Sequence, residues 1–112
     1  DKAEEIFKFM SNNTDVEWSW TGVGSVESQD NYISTISNTN HEAGADFLLK
    51  NGYTIRNHEH NHFKSSVPSP DDFDRARDIN KKFPNAILRI YYNGKDYEYN
   101  EFGAVSVGTT IY

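Results

Sequence analysis

The segment NHEHNHFKSSVPSPDD, residues 57–72, contains two structural signals in succession. It follows Tyr53 and Ile55, whose alternation with polar neighbours is typical of a strand. Near its end, Ser69 stands at a helix N-cap position, Pro70 stands at the first helical position, and an acid follows the serine after three residues, as in a capping box. The segment therefore predicts a strand, a loop and a helix.

Helix and strand patterns continue on both sides of this segment. Val16, Trp18 and Trp20 alternate with polar residues, which predicts a half-buried strand, and Asn93-Gly94 predicts a tight hairpin. In full, the patterns predict helices at 3–10, 41–50 and 69–83 and strands at 16–21, 32–37, 53–62, 86–92, 95–99 and 105–111. This order favours one α/β (α+β) domain over residues 1–112, in which a mixed β-sheet is flanked by helices.

Length and composition exclude several classes of protein. A chain of 112 residues has the length of one domain, and 36% hydrophobic with 14% aromatic residues is too much for a disordered chain. No apolar run approaches the roughly 20 residues of a membrane helix, and a net charge of −6 disfavours nucleic-acid binding. Without cysteine, any metal must be held by His, Asp or Glu. Because the chain starts with Asp1, we expect it to be part of a longer protein.

Three of the four histidines alternate within residues 57–62 and are the main functional signal. On a strand, side chains two residues apart share a face, so His58, His60 and His62 would project together with Cα atoms about 6.6 Å apart. Two imidazoles at that spacing can bind one zinc ion, which still needs a third protein ligand and an open position for water. Asp72, in the first turn of the following helix, is well placed to be that ligand.

The same residues match H-E-x-x-H, the zincin signature, with His58 and His62 as ligands and Glu59 as the base. That motif requires a helix to bring the two histidines together. Gly52 lies shortly before it and Ser-Ser-Val-Pro at 65–68 lies shortly after it, so a helix is disfavoured here. The zincin arrangement stays open as an alternative.

The spacing of His60, His62, Ser69 and Asp72 resembles the JAMM (JAB/MPN) metalloprotease motif, H-x-H-x7-S-x-x-D, in which a glutamate lies on an earlier strand. Glu17 lies in such a strand, shortly before a glycine. As a whole, the chain is most similar to the JAB-like C-terminal domains of bacterial polymorphic toxins of the Rhs type. It differs from the motif in having six rather than seven residues before the serine, and a phenylalanine in place of the proline common after the second histidine.

The resemblance implies a JAMM/cytidine-deaminase-like sandwich and a zinc hydrolase. The two histidines of the motif and Asp72 would hold one Zn²⁺ per chain, with His58 as an alternative ligand. Glu17 would move the proton of the attacking water, and Ser69 would hydrogen-bond the developing oxyanion. The implied reaction is hydrolysis of an amide or isopeptide bond.

The resemblance also implies biological partners. The substrate would be a protein or peptide, of ubiquitin-like type if the domain is deubiquitinase-like, and a toxin would have a cognate immunity protein. Such a domain would be secreted or delivered as the C-terminal part of a larger bacterial protein. A JAMM-like binding scaffold without catalysis is a further alternative. A nuclease with a His-Asn-His motif is disfavoured by the acidic charge, and we expect neither nucleic acid nor membrane as a partner.

Overall fold

The computed structural model describes residues 2–24, 30–35 and 44–106. Within these ranges the chain forms, in order, α1 (Lys2–Asn13), β1 (Trp18–Val23), β2 (Asp30–Thr35), α2 (Gly44–Lys50), β3 (Ile55–Asn61), α3 (Pro70–Lys82), β4 (Ile87–Tyr92), β5 (Lys95–Asn100) and β6 (Gly103–Ser106). The predicted parts of elements at 36–37, 41–43 and 107–111 lie outside the described residues.

The six strands form one mixed sheet in the order β2-β1-β3-β4-β5-β6. The β3–β4 pair is parallel, and the other pairs are antiparallel. Two neighbouring parallel strands need a crossover connection, and α3 is that crossover. The loop and helix predicted from residues 57–72 are therefore the connection that fixes the centre of the sheet.

Helices cover both faces of this sheet. On one face, α1 packs Ala3 and Phe7 against Trp20 and Tyr91. On the other face, α2 and α3 enclose a larger core with the buried residues Val23, Ala45, Leu48, Ile55, Ala76, Ile79, Leu88, Ile90 and Tyr99. The predicted fold class, a mixed sheet flanked by helices, is confirmed.

Strand β1 is buried on both faces, so the prediction of a half-buried strand is wrong. Trp20 contributes to the α1 core, while Ser19 and Thr21 are fully buried on the opposite face. The hydroxyl of Ser19 bonds to Ser34 Oγ and that of Thr21 to His58 Nδ1. These hydrogen bonds allow the polar side of the alternation to lie inside the protein.

Local signals set the ends of other elements. Asn93 and Gly94 both have positive φ, 52° and 79°, as a type I′ hairpin turn requires. Helix α1 continues three residues past its predicted end at Met10. The side chain of Asn13 donates to the Phe9 carbonyl and that of Thr14 to the Met10 carbonyl, which satisfies groups that the helix end leaves open.

The histidine segment is a strand, as its context predicts, and not a helix. Alternation places His58 and His60 on the face covered by α3 and Glu59 on the face covered by α1. The zincin alternative is therefore wrong, because it needs a helix that brings His58, Glu59 and His62 to the same metal.

Candidate metal centre and active site

Three potential metal ligands meet where β3 ends and α3 begins. His60 lies near the end of β3, and His62 is the first residue after this strand. The His62 N–H donates to the Tyr91 carbonyl at 3.0 Å. This bond extends the parallel ladder and keeps the His62 ring beside that of His60, with ring centroids 4.8 Å apart. Asp72, in the first turn of α3, completes the group.

The two histidine nitrogens lie close to each other, and each lies close to a different oxygen of the Asp72 carboxylate. His60 Nε2 and His62 Nε2 are 3.0 Å apart. Asp72 Oδ1 lies 3.0 Å from His60 Nε2, and Asp72 Oδ2 lies 3.1 Å from His62 Nε2. A tetrahedral zinc ion with bonds of about 2.1 Å separates its ligand atoms by about 3.4 Å. The residues present therefore fit a zinc site after a small outward movement.

The capping box of α3 fixes the Asp72 carboxylate. The Ser69 N–H donates to Asp72 Oδ2 at 2.8 Å, and the Asp72 N–H donates to Ser69 Oγ at 3.2 Å. The predicted N-cap, first-turn proline and capping acid are confirmed. Burial would raise the pKa of Asp72, but hydrogen bonds to His60 and His62 lower it far below its ordinary value, so this buried group is a carboxylate.

The two histidines titrate differently. Burial lowers the pKa of His60 despite the Asp72 carboxylate, so His60 is neutral at pH 7 and its ring can offer a lone pair. Burial also acts on His62, but Asp72 outweighs it and raises the pKa. His62 Nδ1 lies 3.1 Å from the Ser65 carbonyl. In the tautomer that donates this bond, Nε2 points its lone pair at the site, which is the usual support of a histidine that binds metal.

His58 lies behind the site rather than in it. Its Nδ1 bonds to Thr21 Oγ1 at 2.9 Å, and its ring stacks on that of His60 with centroids 5.6 Å apart. Burial, followed by the positive charge of Arg75, lowers the pKa of His58 well below its ordinary value. The atoms that converge on one point belong to His60, His62 and Asp72, and His58 packs against the first of them.

A cavity of about 240 Å³ opens beside the three ligands. Its walls include His62 and Asp72 together with Glu17 and Ser69, the two residues predicted to act in catalysis. Glu17 immediately precedes β1 and is only 8% exposed, so it is not the solvent-facing residue that strand alternation suggests. Its charge also contributes to the raised pKa of His62. The structure thus places Glu17, Ser69, His62 and Asp72 around one cavity, while His60 lies buried behind it, in contact with His62 and Asp72.

Arg75 was not predicted from the sequence as a site residue. This residue is 5% exposed, lines the same cavity and donates to Asp72 Oδ1 at 3.2 Å. The i,i+3 spacing from Asp72 in a predicted helix was the available signal. Arg75 adds a fixed positive charge to the site and holds the Asp72 oxygen that also contacts His60.

A β-strand with His-x-His, followed by a helix that begins with Ser-x-x-Asp, is the arrangement of a JAB-like domain. Residues 1–86 match the family model described as JAB-like toxin 1. The chain belongs to this family, and the matched region contains Glu17, Ser69 and all three candidate ligands. No curated protein matches the sequence. None of the helices in the described ranges has the length and apolar character needed to span a bilayer.

Proposed function

We propose that this JAB-like toxin domain is a zinc-dependent peptidase or isopeptidase. The supporting observation is the convergence of His60, His62 and Asp72 beside a cavity that also contains Glu17 and Ser69. Two imidazoles and one carboxylate suit zinc, and the cavity leaves a further position open to water and substrate. JAB-like proteins are typically metal-dependent, which agrees with this donor set.

Glu17 is the proton carrier in this proposal. A zinc ion held by the three ligands would supply a bound water with a pKa of about 7 and would polarise the scissile carbonyl. Glu17 accepts the proton of the attacking water and delivers it to the leaving nitrogen. Since Glu17 is nearly buried, the proton moves between substrate and side chain with little exchange with bulk water.

Ser69 has both a structural and a catalytic role in this proposal. Its Oγ accepts the Asp72 N–H in the capping box, which uses a lone pair and leaves the hydroxyl hydrogen able to donate. That hydrogen stabilises the negative oxygen that develops as the amide carbonyl is attacked. Arg75 holds the Asp72 carboxylate in position through their buried ion pair.

The proposed substrate is a protein or peptide, and the isopeptide bonds of ubiquitin-like modifiers are one form of it. As a toxin, the domain would be delivered as part of a larger bacterial protein and neutralised by an immunity protein. The family match supports the toxin role.

Metal content is the first test. Purified protein is loaded with zinc, dialysed and analysed by plasma mass spectrometry beside Asp72→Asn and Asp74→Asn. We expect about one zinc per chain in the native protein and in Asp74→Asn. Asp72→Asn retains a capping oxygen but loses the carboxylate, and should bind zinc at least about 100-fold more weakly. Asp74 is a matched control because it pairs with Arg77 on the exposed side of the same helix.

Hydrolysis is tested with an isopeptide-linked ubiquitin dimer and a mixture of internally quenched peptides. Zinc-loaded protein should cleave at least one of these probes, and Glu17→Gln should keep its zinc but lose cleavage. Zinc binding that Asp72→Asn does not weaken would overturn the proposed ligand set. Stoichiometric zinc without cleavage of any probe would instead favour the binding scaffold.

A further inference from the structure

A second group of ionisable side chains lies on the opposite face of β3, under α1. Glu4 from α1, Glu59 from β3 and Asp96 from β5 each place a carboxylate oxygen within 4.8 Å of the other two. We call this group the carboxylate cluster. None of its members belongs to the candidate zinc site, and three separate elements contribute to it.

Glu59 is the unusual member of the carboxylate cluster. Its side chain is 1% exposed, and among the described residues neither of its carboxylate oxygens has a hydrogen-bond donor. A buried carboxylate without donors is strongly disfavoured, because water no longer solvates the charge. A cation close to Glu59 would therefore stabilise its ionised form.

Lys8 on α1 is a cation beside the cluster, and its ion pairs are with Glu4 and Asp96. Its Nζ lies 2.9 Å from Asp96 Oδ2 and 3.1 Å from Glu4 Oε2. The side chain is 30% exposed, so it can turn outward to solvent. Arg89, the partner of Glu59 on β4, also acts on Asp96, so three carboxylates and this guanidinium leave a negative excess of two once the Lys8 ammonium has turned away. That excess is the charge of one divalent cation.

We propose that the carboxylate cluster is a second cation site, selective for calcium, in which Ca²⁺ takes the place of the Lys8 ammonium between Glu4, Glu59 and Asp96. All three donors are oxygens, which hard cations prefer and which distinguishes this site from the histidine site. Calcium–oxygen distances of about 2.3–2.6 Å allow two ligand atoms to lie up to about 5 Å apart. The observed separations meet that limit.

Calcium bound here would clamp α1 to the sheet. It would join residues that are far apart in the sequence and would neutralise the buried Glu59 carboxylate directly behind His60. The expected effect is on the stability of the domain, and the site is independent of zinc binding and of the proposed hydrolysis.

Calcium chloride is titrated by calorimetry into zinc-loaded protein, and the Tm is followed in parallel. We expect one calcium per chain with a Kd of about 0.1–1 mM, typical of weak carboxylate sites. At a Kd of about 1 mM, about 10 mM calcium should raise the Tm by about 6 °C. Glu59→Gln preserves shape and should weaken binding at least about 10-fold, as should Glu4→Gln. Glu5→Gln is the matched control, since Glu5 is an exposed neighbour on the same helix.

The Lys8→Met variant distinguishes a calcium site from a carboxylate cluster that has only a structural role. Removal of the competing ammonium should tighten calcium binding, and all these variants should retain their zinc. The absence of binding heat and of any Tm shift in both the native protein and Lys8→Met would overturn the proposal. Calcium binding that is equally strong in Glu59→Gln, or that disappears in Asp72→Asn instead, would overturn it as well.

Discussion

The two faces of β3 carry ionisable clusters of the same depth but of opposite design. His60 and Glu59 are neighbours and are each 1% exposed. On the α3 face, His60 meets an acid that is held by a helix cap, an arginine and two histidines. On the α1 face, Glu59 meets other acids and receives no hydrogen bond from a described residue. The surroundings therefore stabilise a buried charge on the α3 face and destabilise one on the α1 face.

Loss of the acid on the α3 face should have the largest effect. Asp72→Ala removes the ion pair with the buried Arg75 and the capping carboxylate of α3, and should lower the free energy of unfolding by about 3–5 kcal/mol in metal-free protein. Urea denaturation followed by tryptophan fluorescence measures this change. A cost below about 1 kcal/mol would show that Asp72 is not the centre of the charge network.

Thr21→Val tests the histidine behind the site. The variant keeps the shape of the side chain but removes the hydroxyl that bonds to His58, which should cost about 1–3 kcal/mol. Zinc stoichiometry should not change, because His58 supports the site without binding the metal. If the variant lost zinc as well as stability, His58 would have to be counted among the zinc ligands.

On the α1 face we expect loss of an acid to raise the free energy of unfolding rather than lower it. In calcium-free buffer, Glu59→Gln removes a buried carboxyl without donors, and its amide can donate to Asp96. The free energy of unfolding at pH 7 should therefore rise by about 1–2 kcal/mol. A loss of stability in the same urea experiment would contradict the contrast between the two faces.

The smallest effect separates the two roles of Ser69. Ser69→Ala should cost about 1 kcal/mol through loss of the N-cap, whereas Ser69→Gly should cost only a few tenths of a kcal/mol. Both variants lack the hydroxyl, so both should lose the proposed hydrolysis to a similar extent. If activity follows stability instead, the hydroxyl acts through the helix cap alone.

The candidate zinc site could be predicted because its ligands are close in the sequence. His60, His62 and Asp72 lie within thirteen residues, and strand alternation with a capping box is enough to bring them together. The mixed sheet flanked by helices followed from the order of elements, and the JAB-like resemblance is confirmed by the family match.

Features that depend on distant contacts were missed. Arg75 has the sequence pattern of an ordinary helix charge, and its burial follows from how α3 packs on the sheet. Strand β1 is buried on both faces because α1 covers one of them, and the alternation of residues along a strand does not predict such a covering helix. The carboxylate cluster joins positions 4, 59 and 96, whose proximity arises only when α1, β3 and β5 are assembled.

The short span of the α3 crossover has a consequence for the unfolded chain. Residues 60–72 carry all three proposed zinc ligands, so closing them around an ion costs little chain entropy even when the sheet is absent. Zinc can thus associate with the unfolded chain, and this association subtracts from the stabilisation that zinc gives to the folded state. The carboxylate cluster spans positions 4 to 96, and its members come together only in the folded domain. A weakly bound calcium ion would therefore contribute its full binding energy to stability, whereas a tightly bound zinc ion would contribute only part of its own.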